Sequence, residues 1–155
     1  MIPPMKSKIF FLLLAATLVG VASFAQQKDD TRRMAMPKIQ SQIFPWGMPA
    51  LEPTKTGARA TVFDGPTATL DRFHCHISTL NPGENTGALH RHPQEELVIL
   101  KDGTVEVNID GKLTTATTGA MIFFSANENE NMRNVGKTPA TYYVIQFFTP
   151  ATPKS

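Results

Sequence analysis

The segment His90-Arg91-His92-Pro93-Gln94-Glu95-Glu96 sets two imidazoles and a carboxylate at positions of one parity, 90, 92 and 96. On an extended backbone, residues two apart point to the same face. His90 and His92 can therefore aim their ring nitrogens at one point. Glu96 joins them if the chain turns once and resumes the same parity. Two imidazoles and a carboxylate with open positions suit a divalent transition metal: Mn, Fe, Ni, Cu or Zn. All four histidines of the chain fall between 74 and 92, which favours a site over a polar turn carrying solvent-exposed imidazoles.

The other two, His74 and His76, share parity with Ser78 and Leu80 and oppose Phe73, Cys75 and Ile77. With the histidine face inward, His76 would bind substrate or support a metal ligand from behind. Phe, Cys and Ile suit a core better, which turns both histidines toward the surface or an interface. Cys75 is the single cysteine, so no intramolecular disulfide forms. It reads as a small buried hydrophobe with nothing nearby to activate it.

These residues must be carried by a domain that begins well after the N-terminus. Lys6 and Lys8 precede an apolar run from Ile9 to Gly20, and Val21-Ala22-Ser23-Phe24-Ala25 closes it with small residues. This is the plan of a secretory signal peptide, with cleavage expected after Ala25. The run is short for a membrane span of about 20 residues. A secreted or periplasmic protein without a membrane anchor after signal removal is expected. The full chain carries 15 basic and 13 acidic residues. Loss of Lys6 and Lys8 leaves 13 of each, and a balanced charge gives no electrostatic case for nucleic acid as a partner.

Residues 26–58 are expected to form an extended arm. Pro37, Pro45 and Pro49 argue against a long helix, while Ile39, Ile43, Phe44 and Trp46 are too apolar for a free tail. The arm would pack on the domain or on a second copy, which makes a homodimer the expected assembly. Residues 59–148 read as β. Strands are expected at Thr61–Phe63, stopped by Asp64-Gly65-Pro66, then at Thr69–Leu80, Glu96–Lys101 and Thr104–Ile109. Met121–Phe124 and Thr141–Phe148 follow. Asp102-Gly103 and Asp110-Gly111 lie between alternating runs and signal tight hairpins. No convincing amphipathic helix interrupts the plan, which predicts an all-β antiparallel sandwich or barrel. Residues 149–155 read as a frayed tail.

The stretch from Pro82 to Asn134 resembles the cupins, a superfamily of small jelly-roll barrels. Their first motif is matched by Gly83, His90-Arg91-His92, Glu96 and Gly103, with the first gap one residue longer than usual. The second motif is matched loosely. Gly119 opens it and Asn134 closes it, but Ser125 stands where Pro is usual, Asn127 where Gly is usual, and Glu130 where a His is usual. The resemblance implies an antiparallel jelly-roll barrel and a metal shell of His90, His92, Glu96 and Glu130. A carboxylate in place of the last imidazole adds negative charge and favours Mn or Fe, with Zn, Ni or Cu also accommodated. Alternatively, Glu130 belongs to the solvated run Asn127-Glu128-Asn129-Glu130-Asn131 and marks a weakened site. Two functions follow. One is a metal-dependent oxygenase, isomerase or lyase acting on a small molecule. The other is a non-catalytic binding module for a small molecule. Fold alone does not choose between them.

Overall fold

The computed structural model describes residues 37–45 and 49–153; the expected signal peptide and Trp46 lie outside them. The described residues form nine strands, β1 Glu52–Pro53, β2 Gly57–Gly65, β3 Arg72–Leu80, β4 Glu95–Asp102, β5 Thr104–Ile109, β6 Lys112–Thr117, β7 Met121–Phe124, β8 Glu130–Asn134 and β9 Ala140–Phe148. They pair into a six-stranded sheet of order β1-β2-β3-β9-β4-β7 and a three-stranded sheet of order β6-β5-β8. The pairings are antiparallel throughout. The all-β plan expected from the strand pattern is observed, and its antiparallel sheets are consistent with the jelly-roll that the resemblance implies. Among the described residues no helix is long and apolar enough to cross a membrane.

The core follows from strand parity. Val98 and Leu100 on β4, Val105 and Val107 on β5, Ile122 and Phe124 on β7, and Tyr142 and Val144 on β9 are all buried together. Each set alternates with more exposed neighbours, as a half-buried strand requires. The same parity fixes the polar residues. Glu96 is in phase with Val98 and Leu100, and Glu130 is in phase with Met132 and Asn134, so both carboxylates are carried inside.

Two turns behave differently although both are Asp-Gly. Asp110 (φ 48°) and Gly111 (φ 86°) form a two-residue hairpin between Ile109 and Lys112. Positive φ at both central residues matches the right-handed twist of the flanking strands. Asp102-Gly103, expected to be a second hairpin, instead passes the chain from β4 in the large sheet to β5 in the small one. Gly103 has φ 102°, and a Cβ there would lie 2.7 Å from the Ala140 Cα. Glycine is needed for close backbone approach at a crossing between sheets, and not for a hairpin.

Asn134 ties the two sheets. Its side-chain amide donates to the Leu80 carbonyl at 2.7 Å and the Thr138 carbonyl at 2.8 Å, and its Oδ1 accepts from the Gly136 N–H at 2.9 Å. Three strands, β1, β6 and β8, were not signalled by alternation, and β1 falls within the expected arm. β6 is a polar edge strand, and β8 is the continuation of the Asn/Glu run. Residues 37–45 of the arm carry no regular structure. The Ile39 N–H donates to the Pro66 carbonyl, and Phe44 meets Phe63 at 4.9 Å between ring centroids, so this part of the arm packs on the end of β2.

Candidate metal centre and barrel cavity

A cavity of about 320 Å³ opens within the barrel, lined by His76, His90, His92, Glu96, Glu130 and Tyr142 among others. At one end His92, Glu96 and Glu130 offer ligand atoms that all lie within 4.8 Å of one another. His92 Nε2 is 3.5 Å from Glu96 Oε2 and 3.9 Å from Glu130 Oε1. His90 Nε2 lies 2.9 Å from the same Glu130 oxygen. Ligands held about 2.0–2.2 Å from one ion are roughly 3–3.5 Å apart, so these separations have the scale of a single coordination sphere.

Ring orientation sets what each imidazole offers. His92 Nδ1 lies 2.8 Å from the Gln94 carbonyl, and His90 Nδ1 lies 3.0 Å from the Ala88 carbonyl. A carbonyl only accepts, so each neutral ring carries its proton on Nδ1 and presents the Nε2 lone pair. His92 Nε2 is buried with no hydrogen-bond partner among the described residues. A buried lone pair facing two buried carboxylates is unfavourable unless a cation shares the space. The His90–Glu130 contact makes the same demand: two acceptors 2.9 Å apart need a proton or a metal between them. Burial and the neighbouring Glu96 carboxylate raise the Glu130 pKa, against the pull of His90 and His92. The donor set therefore fits a divalent cation, and the backbone carbonyls behind both rings are the kind of support that fixes metal-ligating histidines.

His90 is the least integrated of the four. Its side chain is 48% exposed, and it enters through a single bridge pairing with Glu130. The compact group is thus His92, Glu96 and Glu130, with His90 at the rim. Glu130 is buried, not part of a solvated run, because β8 begins there and turns its first side chain inward.

The expectation that His74 and His76 face away from the barrel is overturned. Both are buried, and His76 lines the cavity. Cys75 and Ile77 are buried too, so β3 is covered on both faces and apolarity could not tell them apart. Removal from water pushes the Cys75 thiol up to about 11, in keeping with an inert buried group. His74 and His76 are linked to one another, Nε2 to Nδ1 at 3.1 Å. His74 Nδ1 lies 3.5 Å from Asp64, which Arg72 grips through two hydrogen bonds of 2.6 and 2.8 Å.

Sequence reasoning missed Gln146 and Arg59. Gln146 Nε2 donates to Glu96 Oε2 at 2.8 Å and orients that carboxylate. It shares parity with Tyr142 and Val144 on β9, which was the available signal. Arg59 Nη2 lies 3.1 Å from His76 Nδ1; a lone arginine near a strand start carried no signal.

Residues 76–146 match the family model described as the Cupin domain. Solved structures agree on the fold. An RmlC-like cupin from Shewanella frigidimarina matches with a TM-score of 0.57 at 18% identity, over 72% of this chain and 96% of that one. KdgF from Halomonas sp. matches with a TM-score of 0.58 at 12% identity, over 69% and 94%. A Cupin 2 conserved barrel domain protein from Salinispora arenicola matches with a TM-score of 0.57 at 18% identity, over 74% and 93%. At such identities the likeness concerns the fold. No curated protein matches the chain.

Proposed function

We propose that this chain is a cupin that holds a divalent transition metal, Mn or Fe by preference, with His90, His92, Glu96 and Glu130, and presents it to a small polar molecule in the barrel cavity. The observation that carries the reading is the buried Nε2 lone pair of His92, locked in place by the Gln94 carbonyl and facing two buried carboxylates. Two carboxylates neutralise a divalent charge, and oxygen-rich ligation suits harder ions. When bound, such an ion supplies Lewis-acid polarisation or a redox centre, consistent with an oxygenase, isomerase or lyase activity. The chain itself orients Glu96 through Gln146 and lines the cavity with polar groups. Elemental analysis and Mn(II) titration of the purified protein test this. Near one equivalent of metal, lost in His92→Ala, is expected; no metal in either protein would defeat it.

A second reading, a non-catalytic small-molecule binding module, draws on the His90–Glu130 contact. A proton shared at 2.9 Å would close that side of the site without any ion. Full metal occupancy separates the two. Export directed by residues 1–25 and pairing of two copies through the arm belong to the same proposal. Ile43 on the arm is 89% exposed, more apolar surface than one copy covers. A protein that sediments as a monomer at micromolar concentration would remove the dimer.

A further inference from the structure

The two ends of the cavity have opposite hydrogen-bonding polarity. The metal end presents carboxylate oxygens and imidazole lone pairs, all acceptors. The other end is built around His76. Arg59 Nη2 lies 3.1 Å from its Nδ1, and a guanidinium only donates. Nδ1 must therefore be an acceptor. His74 Nε2, also 3.1 Å away, supplies a second donor to the same atom. His76 is thereby held neutral, with its proton on Nε2. Among the described residues that N–H has no protein partner, and His76 lines the cavity.

Arg59 also lines the cavity and pairs with no carboxylate among the described residues. Tyr142 lies in the same row as Arg59: the register runs Arg59, Ser78, Tyr142 across β2, β3 and β9. Its phenol, pushed up to about 12 chiefly by burial, keeps its proton and can donate. Glu96 sits on β4, two strands from His76 on β3 and two residues along from the row His76–Val144–Val98, or about 12 Å along the sheet. A small organic molecule spans that distance.

We propose that Arg59 and His76 form an anion-binding end of the cavity, and that its occupant is a small carboxylic acid whose second oxygen function reaches the metal end. The second half rests on the metal reading above. The carboxylate meets the guanidinium and the His76 Nε2–H, which together satisfy more of its lone pairs than either could alone. The oxygen at the far end completes positions that the protein leaves open around the ion.

Malate, a four-carbon hydroxy-diacid, and its uncharged diamide are suitable probes, titrated calorimetrically into the whole protein with and without Mn(II). Malate is expected to bind the Mn(II)-loaded protein at least about tenfold more tightly than the diamide. Arg59→Gln should lower malate affinity by about tenfold or more, with Arg59→Lys in between, while Mn(II) affinity stays within about twofold. Arg59 is exposed on its strand, so these variants should fold. Equal affinity for malate and the diamide, an unchanged malate affinity in Arg59→Gln, or no saturable malate binding by the Mn(II)-loaded protein would each overturn the anion-binding end. Arg59-dependent malate binding in a protein that takes up no Mn(II) would uphold that end and overturn the metal reading instead.

Discussion

Two pairs of histidines sit in this barrel with identical spacing, His90 and His92 on one side and His74 and His76 on the other, yet they present opposite hydrogen-bonding polarity. In the first pair each Nδ1 faces a backbone carbonyl, so each Nε2 is left as an acceptor among carboxylates. In the second pair the rings face each other, and Arg59 imposes a donor on His76 Nδ1. That leaves His76 as a donor. Spacing places imidazoles on a face; the polarity of whatever sits behind the ring decides whether they attract a cation or an anion.

The sharpest way to break this contrast is His92→Ala against His76→Gln. His92→Ala removes the buried lone pair and should lower Mn(II) affinity by more than about 100-fold, beyond the range typical of supporting residues. His76→Gln should leave Mn(II) affinity nearly unchanged. Titration followed by electron paramagnetic resonance reads both. Equal losses in the two variants would mean that the pairs are one site.

Acid sensitivity should divide the pairs in the other direction. Burial first, then Arg59 and His74, holds the His76 pKa down to about 3, and burial also lowers that of His74. Between pH 3 and the ordinary value near 6.5, the unfolded chain binds protons that the folded chain refuses. The neutral His76 therefore contributes stability in full above about pH 6.5, and the contribution is lost as pH falls toward 3. Urea unfolding of the metal-free protein should weaken steadily over that window, and His76→Gln should flatten the slope. An unchanged slope would place His76 in water.

The fold was legible where a strand has one wet face. Val105, Val107 and Ile109 alternate with polar residues, and Asp110-Gly111 has the turn chemistry of a hairpin, so β5 and its turn could be placed. β6 could not, because an edge strand of Lys, Leu, Thr and Ala residues buries little. β8 was hidden because Glu130 and Asn134 are polar residues in inward positions, one facing the cavity and the other bridging two sheets. The His90–Glu96 segment announced the site, but Gln146 and Arg59 did not. Their roles depend on which strands become neighbours, and β9 comes to lie between β3 and β4 only in three dimensions. The orientation of β3 was undecidable for a related reason: it is buried on both faces, and period-two reasoning requires one wet face.

A milder perturbation probes how the acceptor end is held. Gln146→Leu keeps the volume on β9 but removes the N–H that donates to Glu96 at 2.8 Å. Glu96 then loses its orienting partner and remains buried. Metal affinity should fall by about tenfold, the lower part of the range for residues that support a ligand from behind. Thermal stability of the metal-free protein should change little or rise slightly, since one fewer polar side chain is buried. A loss as large as that of His92→Ala would make Gln146 a ligand.

The smallest effect is expected behind the donor pair. Arg72 holds the Asp64 carboxyl below its ordinary pKa, chiefly by hydrogen bonding, against the opposing effect of partial burial. Its stabilising contribution is therefore present above about pH 4 and is lost as pH falls through the depressed value. Both partners are about one-third exposed at the side chain, so solvent screens the pair, and Asp64→Asn should cost no more than about 1 kcal/mol near neutral pH. Asp64 also faces the bare Nδ1 of neutral His74 at 3.5 Å. An asparagine can turn its amide N–H toward that lone pair, which offsets part of the loss. In acid the order changes: a proton on His74 Nδ1 is welcomed by the carboxylate and not by the amide. Asp64→Asn should therefore lie closest to wild type at neutral pH and fall further behind as pH drops below the ordinary histidine value of about 6.5. A deficit that shrinks below that value would show that His74 takes no proton there, and that the donor pair is anchored by Arg59 alone.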